Sequence, residues 1–440
     1  MASRTSWTRS AHGSAWASLH CAWCLSPSNL TAEGSRRDES GGFGVVEGVG
    51  ASRRRGRGIL DVMLRDDVRL ISVDDHLLEH PRVWEHRLPA RFQEAGPRVV
   101  EADDGPWAGH EVWLMEGKAY PTLKHYAIAG QDREGASAPI RFSEMLPGCY
   151  DPAARIKDMD LDGVWAQLCF PTFARFAGTR FLECEDKELA AACVRAYNDF
   201  VLEEWCGYEP DRQISLVILP LWEVSAAVEE LKRCAAKGAK AVSFPENPAP
   251  LGLPSWHSRQ WDPVLAAAQE TGVPLCMHFG TSGRTTGTSE DCPDSVRYTL
   301  LACNSMGLAA DLLLSGVFVR FPDLRVALSE GGIGWMPYFL ERIDYTWEGH
   351  RKMEPETDFG LRPSEMFVDH LFGCFIDDDV GLDERHRIGV SQIMWESDYP
   401  HADSAWPHSR EHVAERMRDV PDDEVEQMVA TNARRVFALN

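Results

Sequence analysis

Residues 69–81 read RLISVDDHLLEHP. The apolar run Leu70-Ile71-Ser72-Val73 leads directly into three ionisable groups, Asp74, Asp75 and His76. Aliphatic and β-branched residues suit a strand, and its polar end has two readings. Either the strand stops and an aspartate caps the following turn, or the strand delivers ligands. Side chains alternate across a strand, so Asp74 and His76 share one face and Asp75 points to the other. A carboxylate and an imidazole side by side are the donors that a zinc- or manganese-class ion takes.

Seven further β-rich runs follow at 163–170, 214–221, 239–246, 273–279, 324–330, 372–377 and 391–398. Helix-like stretches such as VSAAVEELKRCAAKG and DPVLAAAQETG lie between them and end in glycine, a common helix stop. Runs that are apolar throughout suit strands covered on both faces, as in a parallel sheet. Eight such strands with intervening helices predict an α/β fold, a (β/α)8 TIM barrel spanning 65–440. A doubly wound open sheet fits the rhythm too, but no glycine-rich dinucleotide motif follows any strand. The first two runs are separated by residues 75–162, too many for one helix, so 77–150 is read as an insertion that forms a lid over the barrel mouth.

The 440-residue chain is 44% hydrophobic and 26% charged, ordinary for a globular protein. Residues 1–58 differ: they are rich in Ser, Gly, Ala and Arg, and they hold eight arginines against four acids. They read as a disordered extension (1–60), an artefact of an early start if the native one lies near Met63, and Cys21 and Cys24 are set aside with it. A net charge of −23 argues against nucleic acid or anionic membrane as a partner. No apolar run reaches the roughly 18–20 residues of a membrane span. The twelve cysteines are scattered, many in apolar runs, which suits free thiols in a reducing cytoplasm.

Barrel strands converge on one mouth at their C-terminal ends. The first run ends in Asp74-Asp75-His76, the fifth holds His278, the sixth ends in Glu330-Gly331-Gly332, and the eighth ends in Asp398, with His401 beyond. Asp74, His76, His278 and Asp398 are candidate metal ligands, Glu330 and Asp398 candidate catalytic groups, and His401 is near enough to the mouth to support a ligand or hold substrate. Each has a plainer reading: His278 as a hydrogen-bonded core histidine, Asp398 as a turn cap, Glu330 as the first turn of a helix. Arg175 after the second run and Arg342 after the sixth are candidates for holding an acidic substrate. Glu246 and Asn247 either line the pocket or form a turn.

These blocks resemble the amidohydrolase-related family of metal-dependent TIM barrels, in the branch of aminocarboxymuconate-semialdehyde decarboxylase and related aromatic-acid decarboxylases. The resemblance runs from about residue 68 to 440. It is carried by SVDDHLLEHPRVW, PGCYDPAARIKDMDLDGVWAQLCFP, FPENPAPLGLPSWHSRQWDPVLAAAQETGVPLCMHFG, RFPDLRVALSEGGIGWMPYFLERID, IMWESDYPHADSAWP and NARRVFAL. It implies one divalent metal, zinc foremost with manganese or iron as alternatives, held by Asp74, His76, His278 and Asp398. It also implies a homodimer or larger assembly. The family's decarboxylases carry a histidine where this chain has Glu330, which sets hydrolysis beside decarboxylation. In one reading a small aromatic or unsaturated acid loses carbon dioxide. In the other, water activated with Asp398 as proton acceptor attacks an amide, ester or lactone. A barrel that binds without catalysing is the third reading, and the retained His76, His278 and Asp398 speak against it.

Overall fold

The computed structural model describes residues 64–439, so the N-terminal extension and its Cys21/Cys24 pair lie outside the described residues. Twelve strands occur in chain order: β1 (Leu70–Leu77), β2 (Arg98–Glu101), β3 (Glu111–Met115), β4 (Lys118–Pro121), β5 (Val164–Pro171), β6 (Gln213–Ile214), β7 (Leu216–Val217), β8 (Ala241–Ser243), β9 (Leu275–Cys276), β10 (Val326–Leu328), β11 (Leu371–Phe375) and β12 (Ile393–Trp395). The pairings β1-β5-β6 and β7-β8-β9-β10-β11-β12 are all parallel. Counting β6 and β7 as one interrupted strand, all eight predicted runs take their places as barrel staves. The ring closes where Asp398 N donates to Asp74 O at 2.8 Å and His76 N donates to Tyr399 O at 2.7 Å. This is the expected (β/α)8 barrel.

One boundary differs from the sequence reading in a way that matters. The first strand does not stop at Asp74 but continues through Asp75 and His76 to Leu77. Pairing with β5 sets Asp75 opposite Cys169 and His76 opposite Phe170, so the sheet hydrogen bonds carry the polar residues into the wall. Every residue of β1 is buried. A local propensity argument ends a strand at charged residues; here the neighbouring strand overrides it.

Helices cover the outside, among them Pro152–Asp162, Lys187–Phe200, Val224–Ala236, Asp262–Thr271, Ala302–Leu314 and Met336–His350. The first shows why its sequence is helical: Asp151 accepts from Ala154 N at 2.8 Å as N-cap, Pro152 occupies the first turn, and Gly163 ends it in the left-handed region. Between barrel wall and helices lies the main apolar core, built from residues such as Ile71, Val73, Leu168, Val242, Leu275, Leu328 and Phe372.

The segment between β1 and the Pro152–Asp162 helix carries its own antiparallel sheet, β2-β3-β4. β3 and β4 are joined by Glu116-Gly117, both with positive φ (48° and 75°), the backbone of a tight hairpin turn. A second apolar cluster fastens this sheet to the barrel, with Trp84, Trp113, Phe173, Phe181, Tyr197 and Trp205 at its centre. Trp84 is fully buried and its indole N–H donates to Cys193 O.

Among the described residues no disulfide forms; eight of ten cysteines are buried and free. No helix among them is long and apolar enough to cross a membrane.

Candidate metal and catalytic site

Asp74, His76, His278 and Asp398 meet at one end of the barrel, each at most 1% exposed. His76 Nε2 lies 3.0 Å from Asp398 Oδ1 and 3.4 Å from Asp74 Oδ1. His278 Nε2 lies 3.7 Å from Asp74 Oδ2 and 3.0 Å from Glu330 Oε2. His401 joins the group: its Nδ1 is 2.8 Å from Asp398 Oδ1, and its ring stacks on His76 at 3.7 Å.

These contacts are close but not hydrogen-bonded in geometry. Both oxygens of Asp74, both ring nitrogens of His76, and Nε2 of His278, Oδ1 of Asp398 and Nε2 of His401 are buried without a hydrogen-bond partner. Orphaned buried polar atoms cost free energy unless something satisfies them. Here they converge, with Asp74, His76 and His278 placing donor atoms within 4.8 Å of one another, and His76, Asp398 and His401 doing the same. The tautomer suits a cation at His278, since Nδ1 is bonded to Phe279 O at 2.7 Å and Nε2 is left free.

Charge points the same way. Burial, then neighbouring carboxylates, pushes Asp74, Glu396 and Asp398 well above the usual carboxylate range. Burial pushes His76 and His401 well below the usual imidazole range, leaving neutral nitrogens. Several acids packed together without a positive partner are unfavourable, and a divalent cation supplies that partner. The residues present fit one.

Two further buried carboxylates of this region, Glu396 and Glu79, are absent from the residues the sequence pattern singles out. Glu396 is fully buried, and its Oε2 accepts from Glu330 N at 3.2 Å. It lies two residues before Asp398 in the β-rich run 391–398, a positional hint in the sequence, although β12 itself ends at Trp395. Glu79 is 1% exposed and accepts from the backbone N–H groups of Thr172 (3.2 Å), Phe173 (2.7 Å) and Ala174 (3.0 Å). Asp75 faces away as expected and accepts from Tyr399 N at 2.9 Å, tying β1 to the segment after β12. Glu246, for which a turn and a pocket lining were both open, is buried: it takes the hydroxyl of Thr281, Ser282 N at 2.6 Å, Ser282 Oγ at 2.7 Å and Asn304 Nδ2 at 3.0 Å. It holds the loop that follows His278.

Glu330 and Asp398 share a backbone peculiarity, φ of 51° and 58°, as does Arg175 at 59°. Non-glycine residues seldom adopt this region, and those that do gather at functional sites. Arg175 does reach the mouth but is paired with Glu183 at 2.7 Å. Arg342 does not join the site. It lies exposed on the Met336–His350 helix with its guanidinium 5.3 Å from the ring of Tyr345, a solvent-facing stack. Helical periodicity there turns Phe339, Leu340 and Ile343 inward and leaves Arg342 outside.

Beside the cluster is a cavity of about 650 Å³. Phe176 lines it and also touches the cluster, its ring 4.6 Å from that of His76 and 4.3 Å from that of His278. The opposite wall is the inserted sheet, through Trp113 and Tyr120.

Residues 81–439 match the amidohydrolase family model. A gamma-resorcylate decarboxylase from a Rhizobium species is 26% identical over 348 residues, covering 74% of this chain and 99% of that protein. Among solved structures, an amidohydrolase from Mycobacterium avium subsp. paratuberculosis superposes with a TM-score of 0.65 at 23% identity, covering 84% of this chain and 99% of that one. The 5-carboxyvanillate decarboxylase from Novosphingobium aromaticivorans, complexed with manganese and 4-hydroxy-3-methoxy-5-nitrobenzoic acid, superposes with a TM-score of 0.61 at 18% identity, covering 86% and 100%.

Proposed function

The chain belongs to the amidohydrolase family, in its aminocarboxymuconate-semialdehyde decarboxylase-like branch, and on that premise we propose that it is a carboxy-lyase that removes carbon dioxide from a small aromatic or unsaturated carboxylic acid. The observation that carries this reading is the convergence of unpartnered donor atoms from Asp74, His76, His278 and Asp398 beside an aromatic-walled cavity. Those four residues would hold one divalent ion, zinc or manganese by the donor types. Bound there, the ion supplies positive charge that draws electron density from a substrate carboxylate and a neighbouring oxygen.

The protein's own groups do the rest. Phe176 and the aromatic wall bind the ring and keep water from it. The bond between the ring carbon and the carboxylate breaks, its electron pair stays on the carbon, and a proton replaces the departing carbon dioxide. Asp398 is the proton carrier, and His401, 2.8 Å away, is placed to replenish it. Glu330 at the rim, 14% exposed and beside His278, orients the reacting group. Glu330 also sustains a second reading, hydrolysis of an amide, ester or lactone, because a carboxylate at that position can take a proton from water. The enzyme as proposed acts in the cytoplasm, as a homodimer, with the 77–150 insertion as its lid.

Elemental analysis of the full chain purified without chelator tests the site. About one divalent ion per chain, lost in His278→Ala and in Asp398→Ala, is the expected result. No bound metal after addition of zinc or manganese refutes the proposal. Carbon dioxide release from aryl acids without uptake of solvent oxygen into the product separates the lyase from the hydrolase.

A further inference from the structure

We infer that the substrate carries a second, apolar group about the size of a ring, beyond the part that bears the reacting carboxylate, and that the aromatic cavity beside the cluster receives it. This rests on the carboxy-lyase reading above and narrows its substrate class to aryl acids with an apolar, ring-sized substituent.

The cavity is a compartment beside the cluster and not the cluster itself. None of Asp74, His76, His278 and Asp398 lines it; its inner end is marked by Phe176, which touches both histidines, and by Phe279-Gly280-Thr281, directly after His278. A carboxylate held at the cluster therefore leaves the cavity to the rest of the molecule. Its volume of about 650 Å³ falls within the roughly 300–1,000 Å³ of pockets that enclose drug-sized ligands, more than one carboxylated ring fills.

The wall offers rings and little else. Phe176, Tyr120 and Tyr126 line it and are partly exposed, and Trp113 and Phe173 stack on each other at 4.5 Å with Tyr120 edge-on to Phe173 at 6.2 Å. The polar side chains among them are already engaged. Arg175 pairs with Glu183 at 2.7 Å; Arg180 donates Nε to Phe173 O at 2.6 Å and lies 4.0 Å over the ring of Tyr120. Thr172 Oγ1 donates to Leu77 O at 2.8 Å, and the Thr281 hydroxyl donates to Glu246. Lys118, the remaining cation of the lining, is exposed. A polar substituent entering here would leave water for partners that are taken, which costs free energy. An apolar ring gains it by burial and by stacking.

The barrel and the insertion divide the work. Phe173 and Phe176 follow β5, whereas Trp113 stands on β3 and Tyr120 on β4 of the inserted sheet. The staves thus carry the reacting end, and the insertion sets what the distal group can be. Tyr120 acts on binding, away from the bond that breaks, so its contribution falls on KM.

The test is calorimetric binding to the metal-loaded full chain. The probes are salicylate against its 4-phenyl and 5-phenyl derivatives, with 4-carbamoylsalicylate as the polar control. At least one phenyl derivative is expected to bind roughly tenfold or more tightly than salicylate, and the carbamoyl compound no more tightly. In Tyr120→Ala the ratio of phenyl derivative to salicylate shrinks toward one, while Tyr120→Phe, which keeps the ring, keeps the ratio; the unaltered chain's own ratio decides the matter if the alanine variant does not fold. Equal binding of salicylate and both phenyl derivatives, with salicylate still binding, overturns the inference and leaves the carboxy-lyase reading intact. A carbamoyl gain that matches the phenyl gain, or a phenyl gain untouched by Tyr120→Ala, overturns it as well. If no acid of any kind binds or is decarboxylated, both readings fall.

Discussion

Glu79 offers a sharp test of how the site is held together. Its Oε2 accepts from Thr172 N and Phe173 N, and its Oε1 from Ala174 N, all with the carboxylate out of solvent. In Glu79→Gln the amide oxygen can keep the first two bonds, but the NH2 group then faces the Ala174 N–H, donor against donor. One charge-assisted bond is lost and one buried N–H is stranded, about 2–3 kcal/mol in all. Glu79→Ala strands all three and opens a small void, about 4–6 kcal/mol. The loop from 172 carries Phe173 and Phe176, which line the cavity, so its loosening raises KM before it alters the chemical step. Amide hydrogen exchange at 172–174, thermal unfolding and steady-state kinetics report the three effects. Exchange at those amides is expected to quicken in the glutamine variant and the unfolding temperature to drop by several degrees. Unchanged protection at 172–174 together with unchanged stability would refute the view that this carboxylate braces the cavity wall.

Three other outcomes are expected. His401→Phe keeps a ring against His76 but removes the partner of Asp398, so turnover falls roughly 10–100-fold with metal content retained; loss of the metal instead would make His401 a ligand. Stripping the metal with chelator lowers the unfolding temperature, since a ligand at a hundred times its Kd contributes about 2.7 kcal/mol, and a melting curve indifferent to chelator contradicts the fit described here. Burial pushes Asp162 up to about 6. The folded state then holds that proton more tightly than the unfolded chain between roughly pH 4 and 6, so stability from this group is present at low pH and is lost as pH rises through that window. Asp162→Asn, whose amide oxygen can still accept from Ser409 N, gains up to about 3 kcal/mol on the parent at pH 7 and little at pH 4. Parallel stability curves from pH 4 to 7 would show that Asp162 does not titrate in that window.

The eight staves were legible because parallel strands covered on both sides are apolar throughout, a pattern that needs no knowledge of neighbours. Asp74 and His76 were legible for a similar reason: alternation along one strand fixes which side chains share a face. His278, Glu330 and Asp398 followed from the rule that strand ends converge on one mouth, and the structure brings all five together. Glu396 lies two residues before Asp398 in the same run, but both fall past the end of β12 at Trp395, so their convergence on the site needed the tertiary structure.

Other groups become meaningful only through contacts remote in sequence. Arg155 sits in a helix whose sequence gives no reason to bury it, yet it is fully enclosed. It donates to Gly148 O and His76 O, and its guanidinium lies 5.1 Å from the ring of Trp205 and 4.6 Å from that of Tyr399. Arg342 is the converse, a residue close in sequence to the sixth strand that faces solvent beside Tyr345. Glu79 and Glu246 look like ordinary acids after strands until the loops they hold fold over them. Periodicity is a local property of the chain and sets which elements form. Whether a charged side chain is buried depends on the partners that satisfy it, and tertiary structure alone supplies those.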